Sequence, residues 1–214
     1  MNEQELRERF LALWHRCGGA NARPEPVWHM LQQRYQEPHR HYHTLAHLSH
    51  CLGEMDTGNG QIVEADATEM AIWFHDVIYE YAAKDNEEMS AIIFRELAEP
   101  HMTADFIDRV CELIDATRHT GNALDRGAAY MVDIDLSGFG LPWEGYLADS
   151  DALRLEAPDV SDERYYQGKL RFLNGLQQWP WLFQTEFFRE RLESTAQANI
   201  SRYSADLRAR GFGD

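Results

Sequence analysis

Histidines are concentrated in one short stretch of the sequence, HRHYHTLAHLSH at residues 39–50, which holds five of the ten histidines of the 214-residue chain. Histidine is the commonest metal ligand and titrates near neutral pH. A helix here would place His43, His47 and His50 on one face, because successive residues turn by about 100°. That face is predicted to look toward solvent or a polar cleft, since the opposite face carries an aliphatic seam of Leu45, Leu48, Leu52 and Met55. Solvated surface histidines are the alternative interpretation.

A histidine and an aspartate, His75 and Asp76, directly follow the apolar segment MAIWF. A charged residue beside such a run needs compensation, and the carbonyl end of a helix attracts a cation. A divalent metal ion would satisfy the carboxylate, the imidazole and the helix end together. An ion pair or hydrogen bond between His75 and a neighbouring carboxylate is the alternative.

Two further carboxylates, Asp133 and Asp135, lie in the apolar segment MVDIDLSGFG. Carboxylates in such surroundings are costly unless they pair, cap a turn or bind a metal. One of the two can serve only to cap the turn that follows, so both are kept as candidates for a last metal ligand.

Helical patterns dominate the segments that must position these groups. Apolar residues recur at helical spacing over residues 3–16, and the prolines of RPEPVW suit a helix start. Helix N-termini are indicated by Asp66 with Glu69, Asp85 with Glu88, Thr103, Ser161 and Thr185. The fold class predicted is all-α, with about eight to ten helices in one domain over residues 1–214. Helices over 160–211 are expected to pack on the remainder; residues 138–160 give the weakest pattern.

Composition limits the classes of partner. Asp and Glu number 36 against 20 Lys and Arg, a formal charge of 20 − 36 = −16, which argues against general nucleic-acid binding. No apolar run reaches the roughly 18 residues of a membrane span. Cys17, Cys51 and Cys111 have no paired spacing, which indicates reduced thiols and a cytoplasmic location. The oligomeric state stays open.

The order of the polar groups resembles that of the HD-domain superfamily of metal-dependent phosphohydrolases, over about residues 39–140. In particular, it looks like the bacterial group of predicted HD phosphohydrolases that carry R-x-Y-H-x3-H, F-H-D-x-x-Y and D-N-E-x-x-S-A. The matching residues here are Arg40, Tyr42, His43 and His47, then Phe74, His75, Asp76 and Tyr79, then Asp85, Asn86, Glu87, Ser90 and Ala91. Later matches are A-T-x-H at 116–119 and D-x-D-L at 133–136.

This resemblance implies an HD-type helical bundle and a set of site residues. His47, His75, Asp76 and Asp135 would hold one divalent metal ion, either Mn, Fe, Co, Ni or Mg. The Tyr-His-x3-His motif is also similar to that of mammalian cyclic-nucleotide phosphodiesterases, in which its first histidine donates a proton. His43 is therefore predicted as the catalytic acid. The sequence Asp135-Leu136-Ser137 matches the A-D-L-S context of those enzymes better than Asp133 does.

The activity implied is hydrolysis of a phosphoester of a small molecule, for example a nucleotide. The metal would lower the pKa of a bound water. Asp76 or Asp135 would orient that water, and His43 would protonate the leaving oxygen. Lys84 and His119 are predicted to bind the substrate phosphate.

Two other functions remain open from the sequence. One is a non-catalytic metal-binding protein with an HD fold, which would bind metal without turnover. The other is an HD-fold di-iron oxygenase, for which His50 or His119 would have to supply additional ligands and which would consume oxygen.

Overall fold

The computed structural model describes residues 1–19, 22–58, 60–119 and 125–213. These ranges contain ten α-helices and no strand, so the predicted all-α class is confirmed. The helices are α1 (Glu3–Gly18), α2 (Pro24–Tyr35), α3 (Leu45–Thr57), α4 (Ala65–Phe74), α5 (Asn86–Ala98), α6 (Ala104–Ala116), α7 (Arg126–Asp135), α8 (Trp143–Leu155), α9 (Asp162–Leu176) and α10, which runs through Glu186–Phe188, a π-helical turn at Arg189–Glu193, and Ser194–Ala209. A 3-10 helix, Leu136–Gly140, continues α7. Within the described ranges, no helix has both the length and the apolar character that a membrane span requires.

Helix α4 lies at the centre of the bundle. Every residue from Ala67 to Phe74 is buried, and the helix contacts α1, α3, α5, α6 and α7. The Phe10 ring of α1 packs against Trp73 and Phe74, with ring centroids 5.5 and 6.4 Å apart. A helix that is largely apolar around its circumference is stable only in such a position. It therefore carries the residues that follow it into the interior.

Hydroxyl side chains begin three of the helices at the predicted positions. Thr103, Ser161 and Thr185 accept hydrogen bonds from backbone N–H groups in the first turns of α6, α9 and α10. Asp85 occupies the residue before α5, as predicted, but its side chain accepts no helix N–H group. The hydroxyl oxygens thus satisfy some of the otherwise unpaired N–H groups at the starts of α6, α9 and α10.

The predicted capping box at Asp66 and Glu69 is wrong. An N-cap at Asp66 would start the helix at Ala67, but α4 begins two residues earlier, at Ala65, and no side chain caps it. Instead, Asp66 pairs with Arg16 at 2.8 Å, and Glu69 pairs with Arg9 at 2.9 Å. These ion pairs attach α4 to α1, a tertiary contact that a local sequence pattern does not contain.

Helix α3 begins later than the histidine periodicity predicts. Thr44 is its N-cap and accepts a hydrogen bond from Ala46 N at 3.3 Å, so His43 precedes the helix. The prediction that His43 shares a helix face with His47 and His50 is therefore wrong. The aliphatic seam of Leu48, Leu52 and Met55 is buried as expected, but His47 is also buried, with 5% of its surface exposed.

Asp133 ties α7 to the start of α10. Its fully buried carboxylate accepts hydrogen bonds from Gln184 N, Thr185 N and Thr185 Oγ, each at 2.7 Å. Burial raises the pKa of Asp133 to about 6, although these donors act in the opposite direction. The residue joins two elements of the bundle and satisfies N–H groups that would otherwise be buried without acceptors.

Replacing Asp133 with Ala should destabilise the protein by about 2–4 kcal/mol, because buried donors lose their acceptor. For a chain of this size, that corresponds to a melting temperature lower by roughly 5–15 °C. Thermal unfolding followed by circular dichroism measures the change. Asp159→Ala, at an exposed aspartate, is the matched control and should unfold like the wild type. Equal melting temperatures for the two variants would contradict this role.

Candidate metal centre

Four side chains from three parts of the fold converge in the interior. His47 comes from α3, His75 and Asp76 follow α4, and Asp135 is the last residue of α7. One nitrogen or oxygen atom of each lies within 4.8 Å of the corresponding atoms of the other three. Both histidines are buried, and the aspartate side chains are 16% and 15% exposed. The four residues predicted to hold a metal ion are therefore brought together.

The imidazoles direct their Nε2 atoms toward this cluster. The two Nε2 atoms are 3.3 Å apart, and His75 Nε2 lies 2.9 Å from Asp76 Oδ2. On its other side, His75 Nδ1 donates a hydrogen bond to Ile72 O at 2.9 Å. A ring nitrogen that donates to a carbonyl leaves the other free to bind a metal, and this contact also sets the ring orientation.

Protonation of His75 offsets part of the negative charge of the cluster. Burial would lower the pKa of His75, but Asp76 and Asp135 raise it well above its ordinary value. Burial would raise the pKa of Asp135, but hydrogen bonds from His119, His47 and His75 lower it well below its ordinary value. Two carboxylates thus stay ionised beside a protonated imidazole. A cation in the cluster can replace that proton.

The donor set of two imidazole nitrogens and two carboxylate oxygens fits a divalent ion. Mixed nitrogen and oxygen ligands suit Mn, Fe, Co or Ni with open positions for water, whereas closed structural zinc sites use thiolates. The four atoms already lie close together, and their negative charge favours a cation. The cluster can therefore hold one metal ion.

Asp135 and Asp133 have separate environments. Asp135 Oδ1 lies 3.3 Å from His47 Nε2, within the cluster, whereas Asp133 binds the loop before α10. His119 Nε2 donates to Asp135 Oδ2 at 2.9 Å. His119 also has a φ of 52°, a strained conformation for a residue with a side chain. His119 therefore orients the Asp135 carboxylate. The predicted contact of His119 with the substrate stays a prediction.

His50 is not part of the cluster. Ser137 Oγ donates to Ile134 O at 2.6 Å, so it accepts from His50 Nε2 at 2.8 Å. Lys84, predicted to bind phosphate, is exposed, and its side chain forms no hydrogen bond or ion pair within the described part of the chain. Its role stays a prediction.

His43, predicted as the catalytic acid, lies beside the cluster in a rigid setting. Its Nε2 is 3.9 Å from Asp76 Oδ2. Its Nδ1 donates to Glu156 Oε2 at 2.7 Å, because a carboxylate can only accept. The Tyr79 ring stacks on the imidazole, with centroids 3.8 Å apart. One nitrogen is thus held by the protein, and the other is left facing the cluster.

Glu156, immediately after α8, is a site residue that sequence reasoning missed. Its side chain is fully buried, and its Oε1 accepts the backbone N–H groups of His41, Tyr42 and His43 at 2.8, 2.7 and 2.9 Å. Burial would raise the pKa of Glu156, but His43 and these N–H groups lower it to about 2. The only sequence signal was a glutamate between apolar neighbours, in the segment with the weakest pattern.

The sequence suggested that a cation lies near the carboxyl end of α4. Arg40 occupies that region. Its side chain is fully buried and donates to Asp76 O at 2.6 Å and Val77 O at 3.1 Å. It also binds Glu37 Oε2 at 3.0 Å. The arginine therefore satisfies carbonyls of the turn that follows α4, whereas the helix carbonyls of Ile72 and Trp73 accept from His75 Nδ1 and Tyr35 Oη. The Asp76 carboxylate is left to the metal cluster.

Comparisons with known proteins add no family assignment. No protein-family model matches the sequence, and searches of curated proteins and of solved structures found no match either. What is established is an all-helical fold with a His/Asp cluster able to hold a metal ion. Any activity has to be argued from the geometry of the site.

The cluster should bind about one divalent transition-metal ion per chain, and Asp76→Ala should abolish this binding by removing a ligand and leaving the other carboxylate alone. Metal analysis of protein purified without chelator, and again after reloading, measures the content. Asp151→Ala, at an exposed aspartate of α8, is the control and should bind as the wild type does. Wild-type protein that stays free of metal after reloading would contradict the prediction.

Metal binding at pH 7 should release about one proton, because the protonated His75 must become neutral to act as a ligand. Affinity should accordingly rise with pH until the raised pKa of His75 is passed. Calorimetric titration in two buffers with different ionisation enthalpies measures the released protons. Binding enthalpies that do not depend on the buffer would contradict this account.

Proposed function

We propose that this protein is a metal-dependent phosphohydrolase that cleaves a phosphoester of a small molecule. The observation that carries the proposal is the pairing of His43 with Glu156 beside the four-residue cluster. A cluster that serves only to bind a metal ion has no need of a fifth residue with an oriented imidazole beside it. A bound divalent ion supplies a Lewis acid and lowers the pKa of a water ligand.

His43 acts in this proposal as the general acid. Glu156 accepts from Nδ1 and orients the ring, so that Nε2 faces the cluster and can give a proton to the leaving oxygen. Stacking on Tyr79 holds the ring plane while that proton moves. The ionised state of Glu156, with its pKa near 2, keeps this arrangement intact across the neutral pH range.

Asp76 is the residue best placed to orient the attacking water. Its Oδ2 lies 2.9 Å from His75 Nε2 and 3.9 Å from His43 Nε2, between the cluster and the acid. Burial would raise the pKa of its carboxyl, but His75 and His43 hold it well below the ordinary value. An ionised carboxylate there can accept a hydrogen bond from water and fix its direction.

His43→Ala should lower kcat by roughly 10²- to 10⁴-fold, the usual contribution of a general acid, while leaving the metal content unchanged. Steady-state kinetics on a phosphomonoester panel, with metal analysis of the same samples, measures both. His29→Ala, on α2 and away from the cluster, is the matched histidine control. Loss of metal from the His43 variant would overturn this division of roles. Wild-type protein with its metal site fully occupied but without turnover would favour a non-catalytic metal-binding protein.

Glu156→Gln should retain the fold, since an amide oxygen can still accept the backbone N–H groups, yet should lower kcat, because His43 Nδ1 loses its charged acceptor. Steady-state kinetics of the metal-loaded variant measures the change, and thermal unfolding checks the fold. An unchanged kcat together with a lower melting temperature would make Glu156 purely structural.

A further inference from the structure

The segment that carries His43 has no regular secondary structure. It comprises residues 36–43, between the end of α2 and Thr44, the N-cap of α3. The hydrogen bonds of a helix would fix the place of a side chain, but His43 lies outside α3. The position of its imidazole relative to the four-residue cluster must therefore be set by contacts with other parts of the chain.

The backbone of His43 is held at both of its polar groups. Its N–H group donates to Glu156 Oε1 at 2.9 Å, and its carbonyl accepts from Arg40 Nη1 at 3.3 Å. Glu156 also accepts from the imidazole Nδ1. Glu156 thus orients the ring, and Arg40 fixes the carbonyl of the same residue.

The same nitrogen of Arg40 also binds a residue of the metal cluster. Nη1 donates to Asp76 O at 2.6 Å as well as to His43 O. A terminal guanidinium nitrogen carries two N–H groups, so one nitrogen can serve both carbonyls. Arg40 therefore bridges the backbone of the general acid and the backbone of a residue that supplies a ligand atom.

The remaining contacts of Arg40 leave its guanidinium little freedom to move. Nη2 donates to Val77 O at 3.1 Å, and Nε donates to Glu37 Oε2 at 3.0 Å. The side chain is fully buried, and its Cζ lies 5.2 and 5.8 Å from the ring centroids of Tyr35 and Tyr79. A planar guanidinium bound on all sides holds its acceptors at fixed positions relative to one another.

Tyr79 links this guanidinium to the imidazole ring itself. The Tyr79 ring stacks on His43, with centroids 3.8 Å apart, and Arg40 lies within cation–π distance of the same ring. The Tyr79 carbonyl accepts from His39 Nε2 at 3.2 Å, which attaches it to the segment that carries His43. Arg40 thus contacts His43 directly through its carbonyl and indirectly through the ring that covers it.

We propose that Arg40 is a positioning residue, which sets the distance between the general acid His43 and Asp76 of the metal cluster. The inference rests on the proposed hydrolase function, in which His43 gives a proton to the leaving oxygen. His43 Nε2 lies 3.9 Å from Asp76 Oδ2. A displacement of about 1 Å in such an arrangement lowers a rate by roughly 10²-fold.

The test uses Arg40→Lys, which keeps the positive charge but cannot bind all of these acceptors, because an ammonium group lacks the planar fork. The substrates are phenyl phosphate and 4-nitrophenyl phosphate, which differ only in a nitro group. Phenolate leaves slowly unless it is protonated, whereas 4-nitrophenolate leaves readily without a proton. The variant should lower kcat by roughly 10²-fold on phenyl phosphate but by less than about threefold on 4-nitrophenyl phosphate.

A merely structural role of Arg40 would lower both rates by the same factor, and this outcome would overturn the proposal. Arg9→Lys is the matched control, since Arg9 is a partly buried arginine that joins α1 to α4 through Glu69 at 2.9 Å. It should unfold at a lower temperature yet keep the wild-type ratio of the two rates. Metal analysis of the same samples should give equal contents in all variants, because no ligand has been changed.

A double-mutant cycle tests whether Arg40 acts through His43. In a His43→Ala background, Arg40→Lys should lower the rate on phenyl phosphate by less than about threefold, because no acid remains to be positioned. A further loss of roughly 10²-fold in that background would overturn the proposal. If Arg40→Lys does not fold, Glu37→Ala releases only Arg40 Nε and should give a smaller loss with the same selectivity for phenyl phosphate. Equal losses on the two esters in this variant would count against the positioning role.

Crystal structures of wild-type protein and Arg40→Lys separate this proposal from the proposed function. The distance from His43 Nε2 to Asp76 Oδ2 should increase by about 1 Å in the variant, while the four cluster residues stay together. An unchanged distance overturns the positioning role whether or not the protein is a hydrolase. If wild-type protein hydrolyses neither ester, the hydrolase function is overturned, and an increased distance in the variant still supports Arg40 as the residue that places His43.

Discussion

Compensation of charge at the carboxyl end of α4 is the constraint around which this bundle is organised. The helix is buried on all sides, so its last carbonyls and the two polar residues that follow are carried away from water. Arg40 satisfies the carbonyls of Asp76 and Val77, and the imidazoles of His75 and His47 meet the Asp76 carboxylate. Without these partners, the end of α4 could not be buried, because an isolated ion in the interior costs several kcal/mol. The stability of the fold and the existence of the site therefore depend on the same contacts.

Patterns that repeat locally were predictable from the sequence, and contacts between distant segments were not. Helical periodicity and hydroxyl caps gave the all-α class and most helix starts, because those signals act within one or two turns. The resemblance in motif order selected the four residues that converge. The hydrogen bond from His43 to Glu156 joins residues 113 positions apart, and no local pattern around either residue predicts it. Asp66 failed as a cap for the same reason, since Arg16 of another helix competes for it.

The pKa values of three buried or partly buried carboxylates differ because the groups that surround them differ. Asp133 has neutral donors at both oxygens, and burial still raises its pKa to about 6. Glu156 has a similar number of donors but also His43, and its pKa falls to about 2. The difference is the cationic partner, which stabilises the ionised form directly. Burial raises the pKa of Asp149, and the charges of His47 and Lys169 oppose this effect only in part.

A chain with a formal charge of −16 can bind a phosphoester only if its local field differs from the average. Many of its arginines are committed elsewhere: Arg9, Arg16 and Arg109 form ion pairs between helices, and Arg40 is bound to backbone carbonyls. A metal ion held by the four-residue cluster would supply the attraction for an anion that these committed arginines do not. That charge would depend on metal loading. The affinity for a phosphorylated ligand should therefore depend on metal occupancy more strongly than in a site built on arginines, whose charge is permanent.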